Sequence, residues 1–234
     1  VIPEGVTRIG ERAFYSCIAL SSVVIPEGVT TIEKSAFFDC VSLTDVTLPS
    51  TITTIGDEAF RYCYHLDSIV IPEGVTTIGK HVFRGCRNLV DVVLPSSITT
   101  IEDYAFYSCP SLRKITLPTN LREIGHGAFM DCRTMDSIVI PEGVSEISNW
   151  MFEYCDMLRS VTLPSTIKTM GYGVFSDCVS LPSVVIPDGV EQIGSGIFSG
   201  CRMLEEVYLP KSLEKIRANA FQSTRSLKTI YIPE

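Results

Sequence analysis

The sequence predicts an α/β-type solenoid of ten 23-residue units, each a short parallel β-strand, a turn and a short helix. Three columns of residues predict it. Prolines fall at positions 3, 26, 49, 72, 95, 118, 141, 164, 187, 210 and 233, each 23 after the last. Phenylalanines at 14, 37, 60, 83, 106, 129, 152, 175, 198 and 221 keep the same step. So do all nine cysteines, at 17, 40, 63, 86, 109, 132, 155, 178 and 201, with Thr224 in the tenth place. No insertion or deletion interrupts the columns, so residues 1–234 read as a single domain without a linker.

The second unit justifies each element in turn. Val23 and Ile25 alternate with Ser22 and Val24 as in a short strand, and Leu20 precedes them as a further apolar position. Pro26 closes the strand, because it has no N–H for a ladder and presets φ for the first corner of a turn. Gly28 suits the last position of that turn. Val29 and Ile32 then point back inside. Ala36, Phe37, Cys40 and Leu43 follow Ile32 at +4, +5, +8 and +11, the spacing of one face of a short helix. One such unit cannot bury its apolar side alone, whereas stacked units bury it continuously.

Two turn subtypes alternate. Isoleucine before proline goes with an acid and glycine, as in Ile25-Pro26-Glu27-Gly28 and Ile186-Pro187-Asp188-Gly189. Leucine before proline goes with serine, threonine or lysine, as in Leu48-Pro49-Ser50-Thr51 and Leu209-Pro210-Lys211-Ser212. The alternation reads as duplication with two acceptable turns rather than as chemistry.

Composition narrows the partners. Hydrophobic content of 45% with 20% charged residues is that of a folded chain. A net charge of −8 opposes a nucleic-acid partner, which needs clustered Lys and Arg, and disfavours an anionic membrane surface. No run approaches the roughly 20 apolar residues of a membrane span, so no direct insertion is expected. With no initiator Met and no signal segment, the chain reads as a fragment of a longer protein.

No motif points to catalysis, a cofactor or a metal. Nine cysteines cannot all pair within one chain, and one inward column suits buried, reduced thiols. The step of 23 never makes C-x-x-C, and His65, His81 and His126 stand in different columns and rungs. The threonine pairs Thr30-Thr31, Thr53-Thr54, Thr76-Thr77 and Thr99-Thr100 invite comparison with ice-binding solenoids, a remote third reading. The row fails at Arg122-Glu123, Glu146 and Lys168, and β-branched residues suit extended stacking anyway.

The column L-x-x-V-x-I-P, V-x-x-I, A-F-x-x-C-x-x-L is carried in one unit by Leu20, Val23, Ile25, Pro26, Val29, Ile32, Ala36, Phe37, Cys40 and Leu43. It resembles the BspA-like leucine-rich repeats of bacterial and protozoan surface proteins, across essentially the whole chain. Gly28, Gly74 or Thr51 stands where the general leucine-rich consensus places asparagine, so no asparagine ladder is expected. The resemblance implies an extracellular or cell-surface location and adhesion to host or matrix proteins, or to other cells.

Function is therefore expected on surfaces, as a non-enzymatic recognition module. The alternatives are a structural spacer for another domain and an intracellular scaffold. The outward strand column runs Val24, Thr47, Val70, Val93, Thr116, Val139, Thr162, Val185, Tyr208, Tyr231. Beside it, Asp67, Asp91, Arg113, Lys114, Asp136 and Arg159 gather at the centre and Glu205 and Glu206 near the C-terminal tyrosines. Asp67, Asp91, Arg113, Lys114, Asp136, Arg159, Glu205, Glu206, Tyr208 and Tyr231 are the expected binding residues for a protein or glycan ligand. A second candidate is the helix side, with Tyr62, Tyr64, Tyr104, Tyr107, Trp150 and Tyr154. Ile2 and Val6 at one end, and Leu227, Ile230 and Ile232 at the other, are expected to expose core faces and to favour end-to-end self-association.

Overall fold

The computed structural model describes residues 2–232; Val1, Pro233 and Glu234, and with them the last member of the proline column, lie outside the described residues. The chain winds as a β-solenoid whose 23-residue rungs have three sides. Rungs are numbered here by their prolines, from Pro3 in rung 1 to Pro210 in rung 10. The first side carries three-residue strands such as Ser22–Val24 and Asp45–Thr47. The second carries two-residue strands such as Thr31–Ile32 and Thr54–Ile55. Pairing is parallel and in step with the repeat, so Val23 lies against Val46 and Ile32 against Ile55.

The third side corrects the expected architecture. Among the described residues there is no helix, so the fold is a β-solenoid rather than an α/β solenoid. Ala36, Phe38 and Cys40 donate their N–H groups three residues back, to Glu33, Ser35 and Phe37. Between them Ser35, Phe37 and Asp39 donate to Asp57, Ala59 and Arg61 of the next rung, at 2.8, 2.9 and 2.8 Å. A helix would send every one of these groups to its own i−4 carbonyl. Ser35 and Asp39 are also left-handed, with φ of 55° and 58°, and every rung repeats this pair. A left-handed residue every fourth position ends each turn before a helix can propagate. Ala36, Phe37, Cys40 and Leu43 still face inward and are fully buried, because the turns select the same positions a helix face would.

Two columns fill the interior. The phenylalanines form one stack from Phe14 to Phe221, with centroids 4.9 to 5.9 Å apart and planes within 17°. Beside it each cysteine from Cys40 to Cys201 donates its thiol to the phenylalanine carbonyl of the preceding rung at 2.9 to 3.3 Å. All nine cysteines are free; eight are buried and Cys17, in rung 1, is exposed. The threonine pairs also find a structural use, since Thr30, Thr53 and Thr99 return their hydroxyls to threonine carbonyls one rung back.

The turn subtypes carry more information than the sequence reading assigns them. The N–H of Val29 closes on Pro26 O, so Pro26 opens the turn and Gly28, at φ 95°, is its third residue rather than its last. In four places the acid of such a turn clasps the turn of the next rung. Glu27, Glu73, Glu142 and Asp188 accept the N–H groups of Ser50, Ser96, Ser165 and Lys211 at 3.1 to 3.2 Å. The glycine N–H completes each clasp: Gly28, Gly74, Gly143 and Gly189 donate to the hydroxyls of Thr51, Ser97, Thr166 and Ser212. Those hydroxyls donate in turn to the valine carbonyls of the lower turn at 2.7 to 2.9 Å.

The clasps define blocks. Among the described residues, second-side ladders join rungs 1–3, 4–6, 7–8 and 9–10 and stop between them. First-side ladders stop at the same three places, and Lys114–Thr116 of rung 6 joins no ladder at all. Each block opens on an Ile-Pro-acid-Gly rung and closes on a Leu-Pro rung. The turn side does not stop: Phe60 bonds Val82, Phe129 bonds Met151 and Phe175 bonds Ile197 across the three seams. Each seam thus keeps its turn-side bonds and lacks a strand ladder on the other two sides, where single contacts remain: Asp136 N–H reaches Arg113 O at 3.1 Å, Ser148 donates its hydroxyl to Ile124 O at 2.8 Å, and Lys80 N–H reaches Asp57 Oδ1 at 2.9 Å.

Candidate recognition faces

Strand alternation puts Val24, Val70, Val139 and Val185 outward with about three-fifths of their surface exposed (62–63%), a continuous strip that the core does not need. The expected binding residues lie along it but do not make one site. Asp67 and Asp91 are exposed on rungs 4 and 5, away from the rest. Arg113, Lys114 and Arg159 are exposed on rungs 6 and 8, and Asp136 between them is half-buried. Among the described residues none of these three cations has a carboxylate at ion-pair distance.

The seams bring the centre together. One groove opens between rungs 6 and 7, lined by Lys114, Thr116, Thr119, Ser137, Val139 and Glu142. A second opens between rungs 8 and 9, lined by Arg159, Thr162, Leu163, Ser183, Val185 and Asp188. Lys114 and Arg159 therefore stand at groove walls where the ladder is missing. At the far end Tyr208 and Tyr231 stack at 4.3 Å, and Tyr208 donates its hydroxyl to Glu206 at 2.9 Å. That bond pushes the phenol up to about 12. Glu205 pairs with Lys228 at 2.9 Å.

One feature escapes the sequence reading, and a second, the aromatic cluster expected on the helix side, lies on the turn side with arginines that the sequence reading did not include. On the second side a mixed-charge cavity of about 450 Å³ holds Lys80, Glu102, Asp103, Arg122, Glu123 and His126. Burial holds Glu102's carboxyl above its usual range, while Lys80 pairs with Asp103 at 3.4 Å. Gly125 lets the neighbouring rung approach closely at the cavity wall, for a Cβ there would fall 2.5 Å from Asp103 N. Among the described residues no group of three His, Cys, Asp or Glu could hold a metal ion. The turn side carries the second feature. Tyr62, Tyr64, Tyr104 and Tyr107 meet in pairs, at 5.9 Å in each case, with Arg61, Arg84 and Arg87 laid over rings of this group and Phe38. Trp150 and Tyr154 stand further along, exposed, each in a left-handed conformation at φ 56° and 60°. The missed signal is the 23-step column Tyr15, Phe38, Arg61, Arg84, Tyr107.

A stack of rungs with open strips and seam grooves is a repeat solenoid of the interaction-module class. The family model described as BspA type leucine rich repeat region (6 copies) matches residues 1–112, 53–181 and 122–234, and the chain belongs to this family. Among solved structures it is similar to a leucine rich cell surface protein of Faecalibacterium prausnitzii, at 31% identity and TM-score 0.58, covering 98% of this chain and 77% of that one. A leucine-rich repeat protein of Bacteroides ovatus matches at 30% identity and TM-score 0.51 over the same shares, 98% and 77%. The leucine rich repeat protein of T. pallidum matches at 34% identity and TM-score 0.55, over 77% of this chain and 74% of that one. No curated protein matches. No helix among the described residues is long and apolar enough to cross a membrane.

Proposed function

We propose that this chain is a non-enzymatic recognition module of a secreted or surface-exposed protein, and that its first side adheres to a protein partner. The observation that carries the reading is the set Arg113, Lys114 and Arg159: all exposed and without carboxylate partners, with Lys114 and Arg159 lining the two seam grooves and Arg113 next to Lys114 in the chain. Holding three cations without partners leaves them for a ligand, and the adjoining Val139 and Val185 add apolar area. Backbone groups freed at the seams extend the same surface. The description of the F. prausnitzii relative as a cell surface protein supports the location.

The test is adhesion of protein-coated beads to immobilised matrix proteins. The triple variant Arg113→Gln, Lys114→Gln, Arg159→Gln is expected to lose adhesion and salt dependence while keeping its melting transition. Survival of adhesion in this variant, with loss on replacing Trp150 and Tyr154, would move the protein-binding face to the turn side.

A further inference from the structure

The turn side of rungs 2 to 5 carries a charged aromatic array that neither the core nor the first-side strip uses. Arg61 and Arg84 occupy one column in consecutive rungs, so only about 4.8 Å separates their backbones. Rings hold them from both ends. Arg61 Cζ lies 5.4 Å from the Phe38 ring and 4.7 Å from Tyr62, and Arg84 Cζ lies 4.8 Å from Tyr107. Tyr15 extends the array by stacking on Phe38 at 4.8 Å. In the next column Arg87 Cζ rests 4.5 Å over Tyr64. Three guanidinium groups are thereby held over rings within two rungs.

Their charge is not balanced. Glu58 pairs with Arg61 at 3.4 Å, and among the described residues Arg84 and Arg87 have no carboxylate at ion-pair distance. Neighbouring groups register the field. His81 is pushed down by burial and then by Arg84 and Arg61, and Tyr62 is pushed down by the hydrogen bond from Arg61. Juxtaposed like charges are unfavourable unless an anion joins them, and a planar guanidinium matches carboxylate or sulfate oxygens two at a time.

Backbone chemistry distinguishes the ligand class. Around the array the N–H groups of Glu58, Phe60, Tyr62 and Gly85 all bond across rungs, and those of Arg61 and Arg84 close turns. No strand edge is offered, so an acidic peptide would find none of the main-chain pairing that usually anchors it. Rings and guanidinium planes alone suit a saccharide, whose C–H face stacks on aromatic rings while its anionic substituents meet the arginines. We infer that the Arg61–Arg84–Arg87 array with Tyr64 and Tyr107 is a binding site for an acidic polysaccharide bearing sulfate or uronate groups.

The measurement is titration calorimetry with a sulfated glycosaminoglycan hexasaccharide, its desulfated uronate-retaining counterpart, neutral dextran and poly-glutamate. Either acidic saccharide should bind, more weakly as salt rises, and dextran should not; which of the two binds more tightly assigns the oxyanion. The double variant Arg84→Gln, Arg87→Gln should weaken binding about 10- to 100-fold, the loss of two charged hydrogen-bonding groups. Arg84→Lys with Arg87→Lys keeps charge and fold but loses the flat fork, and should fall between the two. Equal binding of dextran, tighter binding of poly-glutamate, or undiminished saccharide binding in the glutamine variant overturns the proposal. The first-side triple variant is the separating control: it should keep saccharide affinity, and its loss there instead would assign the saccharide to the first side.

Discussion

Glu73 Oε1 accepts both the N–H and the hydroxyl of Ser96, one rung above it, at 3.1 Å each. A glutamate accepts the serine N–H and hydroxyl wherever an Ile-Pro-acid-Gly turn lies below a Leu-Pro-Ser turn, at Glu142 with one oxygen for each, and the pair of bonds ties the two turns into one unit. It also makes the unit acid-sensitive. The Ser96 N–H, before any other contact, holds the Glu73 carboxyl below its usual value. A carboxyl depressed in the fold adds stability above its unfolded pKa of about 4.3, and that stability is lost as pH falls through the lower folded value.

Amide exchange at Ser96, corrected for intrinsic rate, is therefore expected to quicken as pH drops below about 4.3. In Glu73→Gln the same amide should exchange faster at pH 6 and respond little to acid. A wild-type Ser96 amide indifferent to pH would contradict the clasp.

The inward columns were legible because burial is written in composition. Val23, Ile25, Val29, Ile32, Ala36, Phe37, Cys40 and Leu43 are all buried, as their types and period require. The spacing predicts a helix wrongly because +4, +5, +8 and +11 fits both a helix face and a run of turns. A second column decided between them. Ser16, Asp39, Gly85, Ser108, Asp131, Asp177, Gly200 and Ser223 are mostly types that tolerate left-handed backbone or favour turns, and all have positive φ. Tyr62 and Tyr154 obscure that column, since large rings rarely adopt such a conformation. The central cations were visible as charges on an outward strand. Their setting was not, because seams follow from which turn lies below which, a relation 23 residues apart in sequence.

Thiol chemistry separates the column from its first member. Burial pushes Cys40 up to about 11 and Cys109 and Cys201 up to about 12, so no thiolate forms at neutral pH. Native protein should label at Cys17 alone, and denatured protein at all nine cysteines. Cys109→Ser is expected to cost about 1–3 kcal/mol in urea denaturation, because a more polar oxygen replaces a thiol bonded to Phe83 O. Labelling of several buried cysteines in native protein would show that the rungs open.

Local opening is expected to begin at the seams. Thr99, Lys168 and Glu214 donate their N–H groups to Thr76, Ser145 and Glu191 at 2.7 to 2.8 Å, inside blocks. The column equivalents across the three seams are the N–H groups of Thr76, Ser145 and Glu191, and among the described residues these have no backbone acceptor. Protection from exchange tracks such bonds and their burial. Thr76, Ser145 and Glu191 are therefore expected to exchange at least about tenfold faster than Thr99, Lys168 and Glu214. On the turn side Phe60, Phe129 and Phe175 bond across the same seams and should stay protected, as a hinge requires. Equal protection on both sides of a seam would mean that the strand sides close in solution, and the grooves beside Lys114 and Arg159 with them.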